Sequence, residues 1–194
     1  RVRCVVAEKE FMGDRRRNQE EEYFQRREQE LIAGLQARER GDAQRRAIAE
    51  RLGRADDDLL QESLELGFTP DTVMMIYVVP LLEVAWADGG VTDAEQAIIL
   101  DAARARGVAR GSAAHAELAK WLDERPPTDF CNRTVKLVAK VLRERPVEQR
   151  EHETRELLSY CSSIARASGG ILGFGKVSSD EQRVLDRIRV ELEQ

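Results

Sequence analysis

Two stretches of this chain repeat one another, and that repetition restricts the fold more than any other feature. Ala85-Trp86-Ala87-Asp88-Gly89-Gly90-Val91-Thr92-Asp93-Ala94-Glu95-Gln96 aligns with Ala165-Arg166-Ala167-Ser168-Gly169-Gly170 continued by Val177-Ser178-Ser179-Asp180-Glu181-Gln182; the second copy carries six extra residues, Ile171 to Lys176. In each copy an apolar helix ends in small residues and two glycines turn the chain. A valine then precedes a Thr or Ser cap, and Glu-Gln opens an amphipathic helix. Neither helix-loop-helix unit could bury its apolar face alone. The repeat therefore predicts two related units packed about a pseudo-twofold axis in an all-α helical bundle.

Helical signals fill the surrounding sequence. Thr69-Pro70-Asp71 is a helix entry with proline in the first turn. Met74, Tyr77, Val78, Leu81, Leu82, Val84 and Ala85 nearly surround the helix that follows to about Ala87, which marks it as central, with a bend at Pro80. Further helices are expected over Thr92 to Arg106, ended by Gly107, over Ser112 to Asp123, ended by Pro126-Pro127, and over Thr128 to Arg143, ended by Pro146. Val147 to Ala167 and Ser178 to Leu192 complete the set. Only Val2 to Ala7 carries a pattern that a strand could use.

Ahead of this region, Asp14 to about Arg40 is dense in Arg, Glu and Gln, with Phe24, Leu31, Ile32 and Leu35 at helical spacing on a long, mostly solvated helix. Gly41-Asp42 supplies a stop and a cap; Ala43 to Leu52 then carries Ala47, Ile48 and Leu52 on one face, and Gly53 ends it. Asp56 to Leu66 adds Leu59, Leu60 and Leu64 before Gly67. The expected organisation is an extension outside the fold over residues 1–11, where Met12-Gly13 looks like an alternative start, a charged helical arm over 12–68, and a helical domain over 69–194. The arm reads either as a partner-binding coiled coil or as helices folded back on the domain. Its stripe falls short of three or four sustained heptads, which favours the second.

Composition excludes several classes. At 194 residues the chain fits one domain with an appended arm. With 35% charged and only 5% aromatic residues, much of the charge must lie on solvated helix faces. A net charge of -5 gives no clustered basic surface for nucleic acid. The longest apolar stretch, Val73 to Ala87, contains Pro80 and Glu83 and falls short of the roughly 20 residues that span hydrocarbon. Cys4, Cys131 and Cys161 are odd in number and lack CxxC spacing, so neither a disulfide framework nor a zinc ribbon is indicated. Cys131 and Cys161 read as buried thiols in a reducing, cytoplasmic setting.

Val84-Ala85-Trp86-Ala87-Asp88-Gly89-Gly90-Val91, followed by Glu95, resembles the Ala-Asp-Gly-x-[Ile/Val]-x-x-x-Glu signature of the TerB-like (tellurite-resistance) and DjlA amino-terminal-like helical domains. The second half resembles that family's final helix pair, so the likeness covers about Thr69 to Leu192. It implies an all-helical bacterial domain, metal binding through acidic loop residues, and a role in tellurite resistance, stress response or membrane-associated complexes.

Asp88 closes one helix and Glu95 lies in the first turn of the next, so the two carboxylates could converge on a hard divalent cation, calcium or magnesium rather than zinc. Thr92-x-x-Glu95 is equally a capping box, in which Glu95 reaches back to the cap amide and needs no metal. Ser178-x-x-Glu181 has the same form, and Asp93 suits a helix-dipole role. The second loop has Ser168 where the first has Asp88, and a neutral hydroxyl is a poor ligand for such an ion.

Gly170 to Val177 approaches a phosphate-cradling loop, yet Val177 replaces the magnesium-binding hydroxyl and no strand precedes it. Ile171, Leu172 and Phe174 form an apolar knuckle, either tucked into the core or exposed to a partner or membrane surface. His115 and His152 lie on separate helices, Trp86 and Trp121 suit interhelix packing, and no nucleophile-base motif occurs. The expectation is a non-enzymatic module, acting either through a cation at Asp88 and Glu95 or as a scaffold that docks a protein partner through the arm and the Ile171–Phe174 loop.

Overall fold

The computed structural model describes residues 2–53, 56–167 and 177–194, with side chains described from Glu21 onward. Of the described residues 79% are helical, in eight α-helices and without strands, as the periodicity requires. The first, α1 (Val2–Leu52), takes in both the residues expected to lie outside the fold and the Val2 to Ala7 strand candidate. It also passes through Gly41-Asp42 without stopping. An isolated glycine costs a helix only about 1 kcal/mol relative to alanine, too little to end one among Arg, Glu, Gln and Ala.

The chain divides into two units, Arg1–Gln44 and Arg45–Gln194. The first is the main length of α1, and every residue from Glu21 to Arg40 is exposed. The second starts 24 residues ahead of the boundary expected at Thr69, for a packing reason. Ile48 and Leu52 in the last turns of α1 are fully buried, and α2 (Asp57–Glu65) buries Leu59 and Leu60 in the same core. Asp56 caps α2 by accepting from the Leu59 amide at 2.8 Å.

The central apolar segment is two helices rather than one bent helix. A short 3-10 helix, Val73–Tyr77, precedes α3 (Val79–Ala85), and Pro80 sits in the first turn of α3. Proline lacks an amide proton and clashes with the preceding turn in a helix interior, but at a helix start neither matters. All seven residues of α3 are buried, which makes it the centre of the core.

Then follow α4 (Asp93–Ala105), α5 (Ala113–Asp123), α6 (Thr128–Arg143), α7 (Val147–Ala167) and α8 (Ser179–Glu193). The leading helices of the two repeat units, α3 and α7, pack together, and each also packs on the second helix of the other unit, α3 on α8 and α7 on α4. Reciprocal pairing of this kind is what a twofold relation produces. Leu81 and Leu82 of α3, Leu137 and Leu142 of α6, Ile164 of α7 and Ile188 of α8 are among the fully buried side chains of the shared core.

Candidate functional site

The repeat places two equivalent helix starts in one electrostatic neighbourhood. After α3 the chain turns at Gly89, whose φ of 103° is a conformation that side-chain-bearing residues avoid, and reaches the cap of α4 at Thr92. The Thr92 amide donates to Glu95 Oε2 at 2.7 Å, its hydroxyl donates to the same oxygen at 2.8 Å, and the Glu95 amide donates to Thr92 Oγ1 at 3.3 Å. At α8 the Ser178 amide donates to Glu181 Oε2 at 2.6 Å and the Glu181 amide to Ser178 Oγ at 3.1 Å. Both sequences therefore form the capping box that their spacing allows.

These caps are unusual in their burial. Glu95 and Glu181 have no exposed surface, and Glu95 Oε1 has no hydrogen-bond partner. Burial raises the Glu95 pKa above its ordinary 4.5, the two hydrogen bonds from Thr92 oppose that rise, and the charges of Asp88 and then Glu181 add to it. Asp88 itself is exposed. The structure thus brings Asp88 and Glu95 within reach of each other's charge and adds Glu181, which sequence reasoning treated only as a cap. The signal for Glu181 was available, because the repeat aligns it with Glu95. Among the described residues no group of three or more His, Cys, Asp or Glu side chains is placed to hold a metal ion. Ser168 and the Ile171–Phe174 knuckle, with most of the phosphate-loop near miss, lie outside the described residues.

Cys131 and Cys161 are buried, which pushes their thiols up to about 11 and about 12 respectively and leaves them without nucleophilic thiolate. His115 on α5 is half-buried and His152 on α7 is exposed. Trp86 donates its indole proton to the Trp121 carbonyl at 2.9 Å, and Trp121 packs on Phe130 with ring centres 5.4 Å apart, so both tryptophans join helices. Glu83, buried in α3, pairs with Arg187 of α8, and Arg106 at the end of α4 lies over the Tyr77 ring while bonding Glu156 at 3.1 Å. A groove of about 560 Å³ beside α6, α7 and α8 is lined by Arg143, Arg150, Arg155 and Arg189, offset by Glu151 and Glu193.

The arm is the other candidate surface. Of the seven large apolar residues exposed among the described side chains, five lie between Tyr23 and Leu35: Tyr23, Phe24, Leu31, Ile32 and Leu35. Tyr23 and Phe24 meet edge to face at 5.9 Å, and Arg27 pairs with Glu30 at 3.4 Å on the same helix. No protein-family profile, curated protein or solved structure matches this chain.

Proposed function

We propose that the chain is a non-catalytic, TerB-like interaction module that docks a protein partner through the exposed apolar stripe of α1. One observation supports this reading above the rest: five large apolar side chains are concentrated within thirteen residues of a helix whose neighbours are all solvated. Concentrated exposed apolar surface of that kind marks interaction sites. The stress or tellurite setting comes with the family resemblance alone. Sizing the chain in an extract of its native cell tests the docking reading. The wild type should run heavier than its own 22.0 kDa, and Leu31→Glu with Leu35→Glu should return it to a smaller size while the compact unit stays folded. A wild type that runs at its own mass would sink the reading.

A divalent cation at the paired caps is the second reading, and the buried, unpartnered Glu95 Oε1 favours it. Asp88 would add a second carboxylate and the backbone carbonyls of the Gly89–Val91 loop further oxygens toward a calcium or magnesium shell. Cation at about one hundred times its Kd should stabilise the fold by about 2.7 kcal/mol. Asp88→Asn should remove that gain and leave the metal-free protein folded. If calcium, magnesium, manganese and zinc all leave the melt unchanged, the cap role of Glu95 is its whole role.

A further inference from the structure

The groove beside α6, α7 and α8 carries an excess of cations on a chain that is acidic as a whole. Arg143 comes from α6, Arg150 and Arg155 from α7, and Arg189 from α8. Set against Glu151 and Glu193, the four guanidiniums leave an excess of two positive charges in a groove of about 560 Å³, whereas the chain has a net charge of -5. Shared lining has not produced pairing. Among the described residues the side chains of Arg143, Arg150 and Arg155 make no hydrogen bond or ion pair, and Arg189 reaches only Asp186, outside the groove, at 4.0 Å. Glu151 and Glu193 are likewise without an ion pair among the described residues.

A second observation points into the same groove. Thr154 stands on α7 between Arg150 and Arg155, is only 9% exposed, and bonds its hydroxyl to no described residue. Burying a hydroxyl without a partner forfeits the hydrogen bonds that water gave it, so a ligand that accepts from or donates to Thr154 recovers a cost the fold already carries. Leu158 and Leu192 add apolar wall beside it.

We propose that this groove binds a small phosphate monoester, with the phosphate held by the arginines and the Thr154 hydroxyl and the organic body resting on Leu158 and Leu192. The site lies within the compact unit and is independent of docking through α1. Guanidinium forks match the oxygens of phosphate and bond them with charge assistance. A phosphate monoester carries about two negative charges at neutral pH, which balances the excess in the groove; a sulfate ester or a single carboxylate falls short of it. Its three terminal oxygens can accept from α6, α7 and α8 together, where a carboxylate offers two. The volume also lies within the roughly 300 to 1,000 Å³ of small-ligand sites. Nucleic acid suits the groove poorly, because repeated phosphates need a basic stripe and Glu151 and Glu193 interrupt this one.

Calorimetric titration of the purified full chain with phenyl phosphate tests the proposal. Binding should be saturable and one to one, and inorganic phosphate, which lacks the apolar body, should bind more weakly. Phenyl sulfate, with the same body and less charge, should bind at least roughly tenfold more weakly. Arg150→Gln with Arg155→Gln should also weaken phenyl phosphate by at least roughly tenfold, since charge-assisted bonds are lost. The melt of that variant should match the wild type, because neither side chain has a partner to lose. Glu151→Gln removes an opposing charge and should tighten binding severalfold, a gain that a merely structural role for Glu151 could not give. No saturable binding at millimolar phenyl phosphate, equal binding of phenyl sulfate, or a double arginine variant that binds like the wild type overturns the proposal. Benzylsuccinate binding more tightly than phenyl phosphate would assign the groove to dicarboxylates instead. A phosphoserine peptide that binds where phenyl phosphate does not would move the phosphate onto a protein partner, and the small-molecule site fails.

Discussion

Leu35 and Leu52 belong to one uninterrupted helix, yet the first is 60% exposed and the second has no exposed surface. The backbone around them is the same, and so is the helical spacing of their apolar neighbours. What differs is supply. Leu52 and Ile48 precede a second helix that adds Leu59 and Leu60, and together these four join a core already organised around α3. Leu35 and Leu31 lie among residues that are exposed on every side of the helix. Periodicity identifies which face of a helix is apolar; it says nothing about whether this chain provides the surface that covers it.

The largest expected effect follows from where that supply begins. A fragment over 45–194 should melt cooperatively with the helical spectrum of the compact unit, whereas 69–194 should lose its transition by circular dichroism. The shorter fragment matches the boundary expected from sequence but removes Ile48, Leu52, Leu59 and Leu60. At about 1.5 to 3 kcal/mol for each buried aliphatic side chain, their loss rivals the roughly 5 to 15 kcal/mol of a whole domain. A cooperative melt from 69–194 would show that the last turns of α1 are decoration and break the contrast between the two leucines.

Single substitutions sharpen the contrast. Leu81→Ala, in the fully buried α3, should cost about 2 to 5 kcal/mol by denaturant unfolding. Leu35→Ala, measured on dilute protein, should stay within about 0.5 kcal/mol for the same transition. Trp86→Phe falls between them at about 1 kcal/mol, because it retains most of the ring and removes the hydrogen bond to the Trp121 carbonyl. If Leu81→Ala unfolds like the wild type, the core is not centred on α3.

The legible parts of the fold are those fixed by local chemistry. Gly107, Pro126-Pro127 and Pro146 end helices where they stand in the sequence, and Thr92, Ser112 and Ser178 cap the helices they precede. Three features were not legible. Gly41-Asp42 looks like a terminator, but a glycine penalty near 1 kcal/mol is outweighed by the helix formers on both sides. The split of Val73 to Ala87 at Val78 depends on whether Pro80 bends one helix or sits in the first turn of another, and burial of all seven α3 residues accompanies the second outcome. Ile48 through Leu60 read as helices folded back on the domain, and they do join its core; the boundary between arm and compact unit was not legible, because their partners are distant in sequence. At the candidate site, Asp88 and Glu95 came from a local motif, whereas the influence of Glu181 on Glu95 follows from the packing of α3 on α8 and α4 on α7, which only the repeat foreshadowed.

The smallest effect compares the same residue type in the two regions. Glu30 on the arm pairs with Arg27 at 3.4 Å with most of both side chains in solvent, so Glu30→Gln should change stability by no more than about 0.5 kcal/mol. Glu95 is fully buried and its pKa is raised, first by burial and then by the charges of Asp88 and Glu181. A raised folded-state pKa means that the native protein holds this proton after the unfolded chain has released it. The Glu95 contribution is therefore least unfavourable below its ordinary value of 4.5, and stability is lost as pH rises from there through the higher folded value. Glu95→Gln keeps an oxygen that can accept from the Thr92 amide and hydroxyl, and removes the buried charge that Asp88 and Glu181 oppose. The variant should be at least as stable as the wild type at neutral pH, with its advantage shrinking as pH falls through the raised folded-state value toward 4.5. Unfolding measured across that range for both proteins checks the sign. A cation bound at the caps reverses the neutral-pH ranking: the wild type gains stability when the ion is added and Glu95→Gln does not. A Glu95→Gln variant that is less stable than the ion-free wild type at neutral pH, by an amount that shrinks as pH falls below 4.5, would show that the ionised cap bonds outweigh burial.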